Sequence, residues 1–156
     1  MKYLLGILLG LGCLCANAQT MELDQLQAII DRPVSSITDS LVKRGWAVHP
    51  ELSGIQANQL YSTFSFGNLK DQKNKALSWF RIHADDGLIN QIYYQTPGKV
   101  HFDNLMAEII KKGAEKKDLK NIDDTMVGTY YVSKDYVYES ILGVDNYTLM
   151  VTKTPK

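Results

Sequence analysis

The stretch LSWFRIHADDGLINQIYYQT, Leu77 to Thr96, decides the fold. It reads as two strands closed by a tight turn. Asp85-Asp86-Gly87 is turn chemistry, and Gly87 can take the left-handed conformation that closes a three-residue loop. That loop sets Ala84 opposite Leu88, Ile82 opposite Asn90, Phe80 opposite Ile92 and Ser78 opposite Tyr94. One face then holds Phe80, Ile82, Ala84, Leu88, Ile92 and Tyr94. The other holds Trp79, Arg81, His83, Ile89, Gln91 and Tyr93, aromatic but mixed with polar groups. A sheet with one apolar and one mixed face is expected to carry helices on the first side only.

Outward from the hairpin, residues 20–32 read as a short helix with Thr20 as its cap and Leu23, Leu26, Ile29 and Ile30 at helical spacing. A second helix begins near Pro33, with Val34, Ile37, Leu41 and Val42 on one face. Lys43 and Arg44 suit its negative end, and Gly45 stops it. Residues 46–48 suggest a brief strand, 49–58 a loop and 59–66 a strand, and 67–75 are polar and expected to be exposed. After Pro97-Gly98 a helix runs from about Val100 to Lys112, with Phe102, Leu105, Met106, Ile109 and Ile110 on its apolar face. The charged segment 114–124 fits a loop or a short edge strand. Residues 126–133, 136–142 and 147–153 read as three strands.

A shift of 68 residues superposes the two main helices: Val34 on Phe102, Ile37 on Leu105, Leu41 on Ile109, Val42 on Ile110 and Gly45 on Gly113. Three strands follow each helix. The expected fold class is therefore α+β, with tandem α-β-β-β repeats (19–96 and 97–156) forming one antiparallel sheet with helices on one face. A helix on three strands is a thin unit, and two such units can join edges and share a helical layer. The open face would carry Trp79, His83 and Tyr93, with Tyr130, Tyr136 or Tyr138 from the second half.

Residues 1–18 have the layout of a secretory signal peptide: a Met1-Lys2 start, an apolar run from Leu4 to Leu14, and Ala16-Asn17-Ala18 as a cleavage site. The run is shorter than the ~20 residues that span a bilayer. Cys13 and Cys15 raise lipid attachment, but the residues before each fit that signal poorly. Cleavage after Ala18 leaves 138 residues (19–156), one domain, no cysteine and a net charge of −1. The product is expected to be soluble, periplasmic or secreted, without disulfides or thiol chemistry. A near-neutral chain has no electrostatic reason to seek nucleic acid or anionic lipid.

Gly45-Trp46 after a basic helix end, Tyr61, Ala76-x-x-Trp79-Phe80 and Ile92-Tyr93-Tyr94-Gln95 resemble a pattern of small exported bacterial proteins of unknown function. The doubled plan is similar in architecture to the β-lactamase inhibitor proteins, which bind an enzyme with an open concave sheet. That resemblance implies a binding module and transfers no contact residue.

Catalytic motifs are sparse. Nucleophile elbow, zinc helix and phosphate-binding glycine loop are absent. Ser40-Leu-Val-Lys43 matches a Ser-x-x-Lys spacing without its companion elements, so an exposed helix face explains it. His49, His83 and His101 are far apart and read as unrelated residues rather than a metal trio. Asp85-Asp86 and Asp123-Asp124 read as turns, since neither has the alternating oxygen ligands of a calcium loop. No cofactor is implied. The sequence thus leads to a non-enzymatic module holding a protein or peptide on its open sheet face, with Trp79, Arg81, His83, Gln91 and Tyr93 as the candidate site. The rivals are a small periplasmic hydrolase or metal-dependent enzyme around His83, and an envelope structural or assembly protein pairing through its edge strands.

Overall fold

A computed structural model describes residues 20–69, 72–123 and 126–155, so the expected signal peptide and Asp124 lie outside the described residues. Among the described residues, three helices and nine strands follow in the order α1 (Leu23–Ile29), α2 (Val34–Lys43), β1 (Ala47–Val48), β2 (Gly54–Gln56), β3 (Gln59–Leu69), β4 (Gln72–Asp85), β5 (Leu88–Gln95), α3 (Lys99–Lys111), β6 (Glu115–Asp123), β7 (Met126–Val132), β8 (Tyr136–Gly143) and β9 (Asn146–Lys153). A single 3-10 turn, Pro50–Leu52, lies between β1 and β2. The fold is α+β, with one antiparallel sheet ordered β1-β3-β4-β5-β9-β8-β7-β6 and β2 paired to β3.

That order is a palindrome under the 68-residue shift. β1, β3, β4 and β5 of one half mirror β6, β7, β8 and β9 of the other, and the last strands of both halves meet at the centre. Each half therefore has four strands in the main sheet rather than three, with the short β2 as an addition to the first. The charged segment 115–123 is a full edge strand, because an edge leaves one side of the backbone to water and tolerates lysines.

The helix ends repeat in atomic detail. Gly45 and Gly113 have φ of +87° and +86°. The next amide in each case donates back to the helix: Trp46 to Leu41 O at 3.0 Å, and Ala114 to Ile109 O at 3.3 Å. This is the left-handed glycine stop that buries the first residue beyond it. A Cβ on Gly113 would meet nothing within 4 Å, so Gly113→Ala tests backbone conformation alone. It is expected to lower stability by about 1–2 kcal/mol, seen as a drop of about 3–8 °C in a thermal melt. An unchanged melt would remove the left-handed stop from the account.

Two helix readings need correction. α1 is capped at Glu22, whose N–H donates to Gln25 Oε1 at 3.1 Å, and not at Thr20. This capping box, formed between Glu22 and Gln25, starts a helix that turns Leu23, Leu26 and Ile29 inward. Val42 and Ile110, equivalent under the shift, are 49% and 56% exposed rather than part of the apolar faces. Each stripe is carried by the residue just before, Leu41 or Ile109.

The central hairpin forms with a different register. Asp86 and Gly87 both have positive φ (+47° and +77°), so the turn has two residues. Asp85 then pairs with Leu88 and Ala84 with Ile89. A bulge at Asn90 restores His83–Gln91, Ile82–Ile92, Arg81–Tyr93 and Phe80–Tyr94. Leu88 and Ile89 consequently exchange faces: Ile89 is buried and Leu88 is exposed. Ile89 is held further by backbone bonds to Asp31 N and Arg32 O from the link between α1 and α2.

The core lies between the helices and one sheet face. Phe64, Phe80, Tyr94 and Leu149 form one cross-strand row, and Ile82, Ile92, Val151 and Tyr138 the next. Leu23, Leu26, Leu41, Phe102, Leu105 and Ile109 press onto them. Tyr138, a candidate for the open face, is buried here and its hydroxyl accepts from Gln27 Nε2 at 2.5 Å. Tyr136 packs against the same cluster. Both belong to the helical side because β8 alternates from Tyr138, and only Tyr130 of the three lies on the open face.

Candidate ligand-binding face

The sheet face away from the helices is ordered in cross-strand rows. Thr63, Arg81, Tyr93, Met150, Glu139 and Tyr130 follow one another across β3, β4, β5, β9, β8 and β7. Ser65, Trp79, Gln95 and Thr148 form the row on one side, and Tyr61, His83, Gln91 and Thr152 the row on the other.

A hollow of about 550 Å³ opens on this face, with Trp79, Arg81, His83 and Tyr93 in its lining together with Leu52, Thr63, Gln95 and Thr148. Four of the five candidate residues therefore share one cavity. Gln91, the fifth, lies beside it, where its Nε2 donates to Tyr93 Oη at 3.2 Å and to Met150 Sδ at 2.7 Å. A second hollow of about 660 Å³ shares Trp79 and Gln95 and extends to the sheet end at Pro97, Gly98, Asp145 and Asn146.

One wall of the first hollow comes from the segment between β1 and β2. Ser53 Oγ donates to His49 O at 2.7 Å and accepts from Thr63 N at 2.9 Å. Thr63 Oγ1 donates to Leu52 O at 2.7 Å. His49 lies against Trp79 with ring centroids 5.0 Å apart and the planes tilted by 48°. Its Nε2 lies 2.7 Å from Ser65 Oγ, and its Nδ1 lies 2.7 Å from Glu51 Oε1. That hydrogen bond holds the Glu51 carboxyl below its ordinary range. The order Ser–His–carboxylate is that of an acyl-transfer relay. Here Ser65 is within β3, with its backbone laddered between Ala47 and Trp79. It does not sit on the sharp turn that lifts such a serine toward substrate and toward a pair of oxyanion donors. The relay instead fastens the wall to the sheet.

Arg81 is exposed and, among the described residues, carries the only formal charge in the lining. Its Nε donates to Thr63 Oγ1 at 3.0 Å, and its guanidinium lies 5.6 Å from the Tyr61 ring centroid. Among the described residues no carboxylate comes within ion-pair distance of it. His83 is half-buried between Tyr61 and Tyr93, at 6.1 and 5.3 Å. Desolvation first, and the charge of Arg81 second, push its pKa down, so the neutral ring prevails at pH 7. Burial first, then the nearby Glu139 carboxylate, raises the Tyr93 phenol. The same causes, with a hydrogen bond to Glu139, raise Tyr130.

Comparison with protein-family models, curated proteins and solved structures returns no match. The likeness in plan to the β-lactamase inhibitor proteins gains nothing from it.

The remaining candidates disperse. His101 sits on the helical side, 3.2 Å from Met21 O and beside Tyr94, away from His49 and His83. Among the described residues no three His, Cys, Asp or Glu side chains cluster as metal ligands would. Ser40 and Lys43 are exposed on α2. Among the described residues no helix is long and apolar enough to cross a membrane.

Sequence reasoning missed Leu52, Thr63, Gln95 and Thr148. Strand alternation from Arg81 and Tyr93 could have found Thr63 and Gln95. Thr148 enters only because β9 pairs with β5, and Leu52 only because the 3-10 turn folds over the sheet.

Proposed function

We propose that the chain is an exported, non-enzymatic binding protein that holds a protein or peptide on the sheet face away from its helices. The observation that carries this reading is the aromatic hollow on that face, walled by Trp79 and Tyr93 and left uncovered by the helical layer. Aromatic anchors in a partly enclosed hollow are the usual energetic centres of protein interfaces. The signal layout of residues 1–18 supports export.

The test is capture from the envelope and the medium of the producing cell, using the 19–156 chain tagged at Lys156. A Trp79→Ser, Tyr93→Ser double variant is expected to keep its fold, because both side chains point away from the helical core, and to bind the captured partner at least about 30-fold more weakly. Undiminished binding by a folded double variant would move the site elsewhere.

A further inference from the structure

We propose that the hollow receives the C-terminal carboxylate of a peptide, with Arg81 as its anchor and Trp79 and Tyr93 as walls for an apolar last side chain. This rests on the binding reading above and specifies its ligand.

The argument begins with how Arg81 is held. Its Nε edge is committed to Thr63 Oγ1, which is itself tied to Leu52 O. Tyr61 lies against the guanidinium. The two terminal nitrogens have no protein acceptor among the described residues. A guanidinium fixed at one edge presents the other as a planar fork, which matches the two oxygens of a carboxylate.

Neighbouring groups narrow the ligand further. His83 Nδ1 lies 3.2 Å from Gln59 Oε1, and Gln59 Nε2 donates to Asn90 Oδ1 at 3.0 Å. The amide oxygen only accepts, so Nδ1 carries the proton and the neutral ring leaves Nε2 as an acceptor. An acceptor near a cation suits an N–H next to a carboxylate, as in the last peptide unit of a chain. One cation among aromatic walls favours a monoanion over a doubly charged phosphate. A hollow of about 550 Å³ is the size of a small-ligand site, typically about 300–1,000 Å³, and holds a chain end rather than a domain. The second hollow, joined at Trp79 and Gln95, offers the preceding residues a way out along the sheet end.

The probe is N-acetyl-phenylalanine, added to the 19–156 chain and followed by NMR at the Trp79 indole and the Arg81 Nε–H. The acid is expected to bind at least about tenfold more tightly than N-acetyl-phenylalanine amide. The difference should vanish in Arg81→Gln and shrink in Arg81→Lys, which keeps the charge and loses the fork. N-acetyl-aspartate amide, carrying its carboxylate on a side chain, should bind more weakly than the acid. Equal binding of acid and amide, a preference that survives Arg81→Gln, or no binding of the acid at millimolar concentration would each overturn the proposal. None of these touches the broader reading, which stands or falls on the Trp79, Tyr93 variant.

Discussion

Replacing Phe80 with alanine is expected to remove about 3–5 kcal/mol of stability, a large part of the about 5–15 kcal/mol that holds a domain of this size together. Phe80 is fully buried in the middle of β4, between Phe64 and Tyr94 in the cross-strand row beneath the helices. Its ring lies 5.9 Å from Trp46 and 6.2 Å from Tyr94, centroid to centroid. These neighbours are themselves anchored: Trp46 by the turn at Gly45, Tyr94 by its hydroxyl. The cost within that range depends on how far these neighbours relax into the space left by the ring. Urea unfolding followed by circular dichroism measures the loss as a lower midpoint with a similar slope. A loss below about 1 kcal/mol would mean that the site collapses freely, and the packing between sheet and helices would need redrawing.

The second large effect appears at alkaline pH. Tyr94 is buried, and desolvation is the main cause that pushes its pKa up to about 12, with the Glu22 charge adding to it. The Met21 N–H, which donates to the phenol oxygen at 3.2 Å, acts in the opposite direction. The unfolded phenol titrates near 10. The folded value of this acid is raised, so the stability it confers is fully present below about pH 10 and is lost as pH rises through about 12. The loss amounts to about 3 kcal/mol over that window. Tyr94→Phe should cost about 1 kcal/mol at pH 7, because Met21 N–H loses its acceptor. Above about pH 11 the variant should become the more stable protein. Tyr93, Tyr130 and Tyr138 are also raised and contribute to both proteins, so the difference between the two unfolding curves isolates Tyr94. Parallel curves from pH 8 to 12 would show that the phenol is hydrated in the folded state.

Those residues also show how far the amino-acid order alone reveals the fold. The helix stops at Gly45 and Gly113 were legible because the left-handed conformation selects glycine wherever it occurs. Phe80, Ile82, Ile92 and Tyr94 were legible as core because alternation is a local property. The misplaced strand residues share one cause. Side chains in a strand alternate with period two, so one bulge residue, Asn90, was enough to exchange Leu88 and Ile89 between faces. Tyr136 and Tyr138 went to the wrong side for the same reason, since nothing within β8 says which of its faces meets the helices. Of the candidate site, Trp79, Arg81, His83 and Tyr93 were legible because they lie on one hairpin. Leu52, Thr148 and the anchoring of His49 on Ser65 depend on contacts between distant segments, and those leave no periodic trace.

The central seam has a consequence for how the chain is made. β5 is completed by residue 95, yet the strand that covers its flank, β9, begins only at Asn146. During synthesis the flank of β5 therefore stays uncovered until residues 146–153 have emerged. A product that terminates early keeps that flank permanently, as an adhesive template for other chains. Emergence of β9 and closure of that edge are thus a single event, and the few residues of β9 act as the seal.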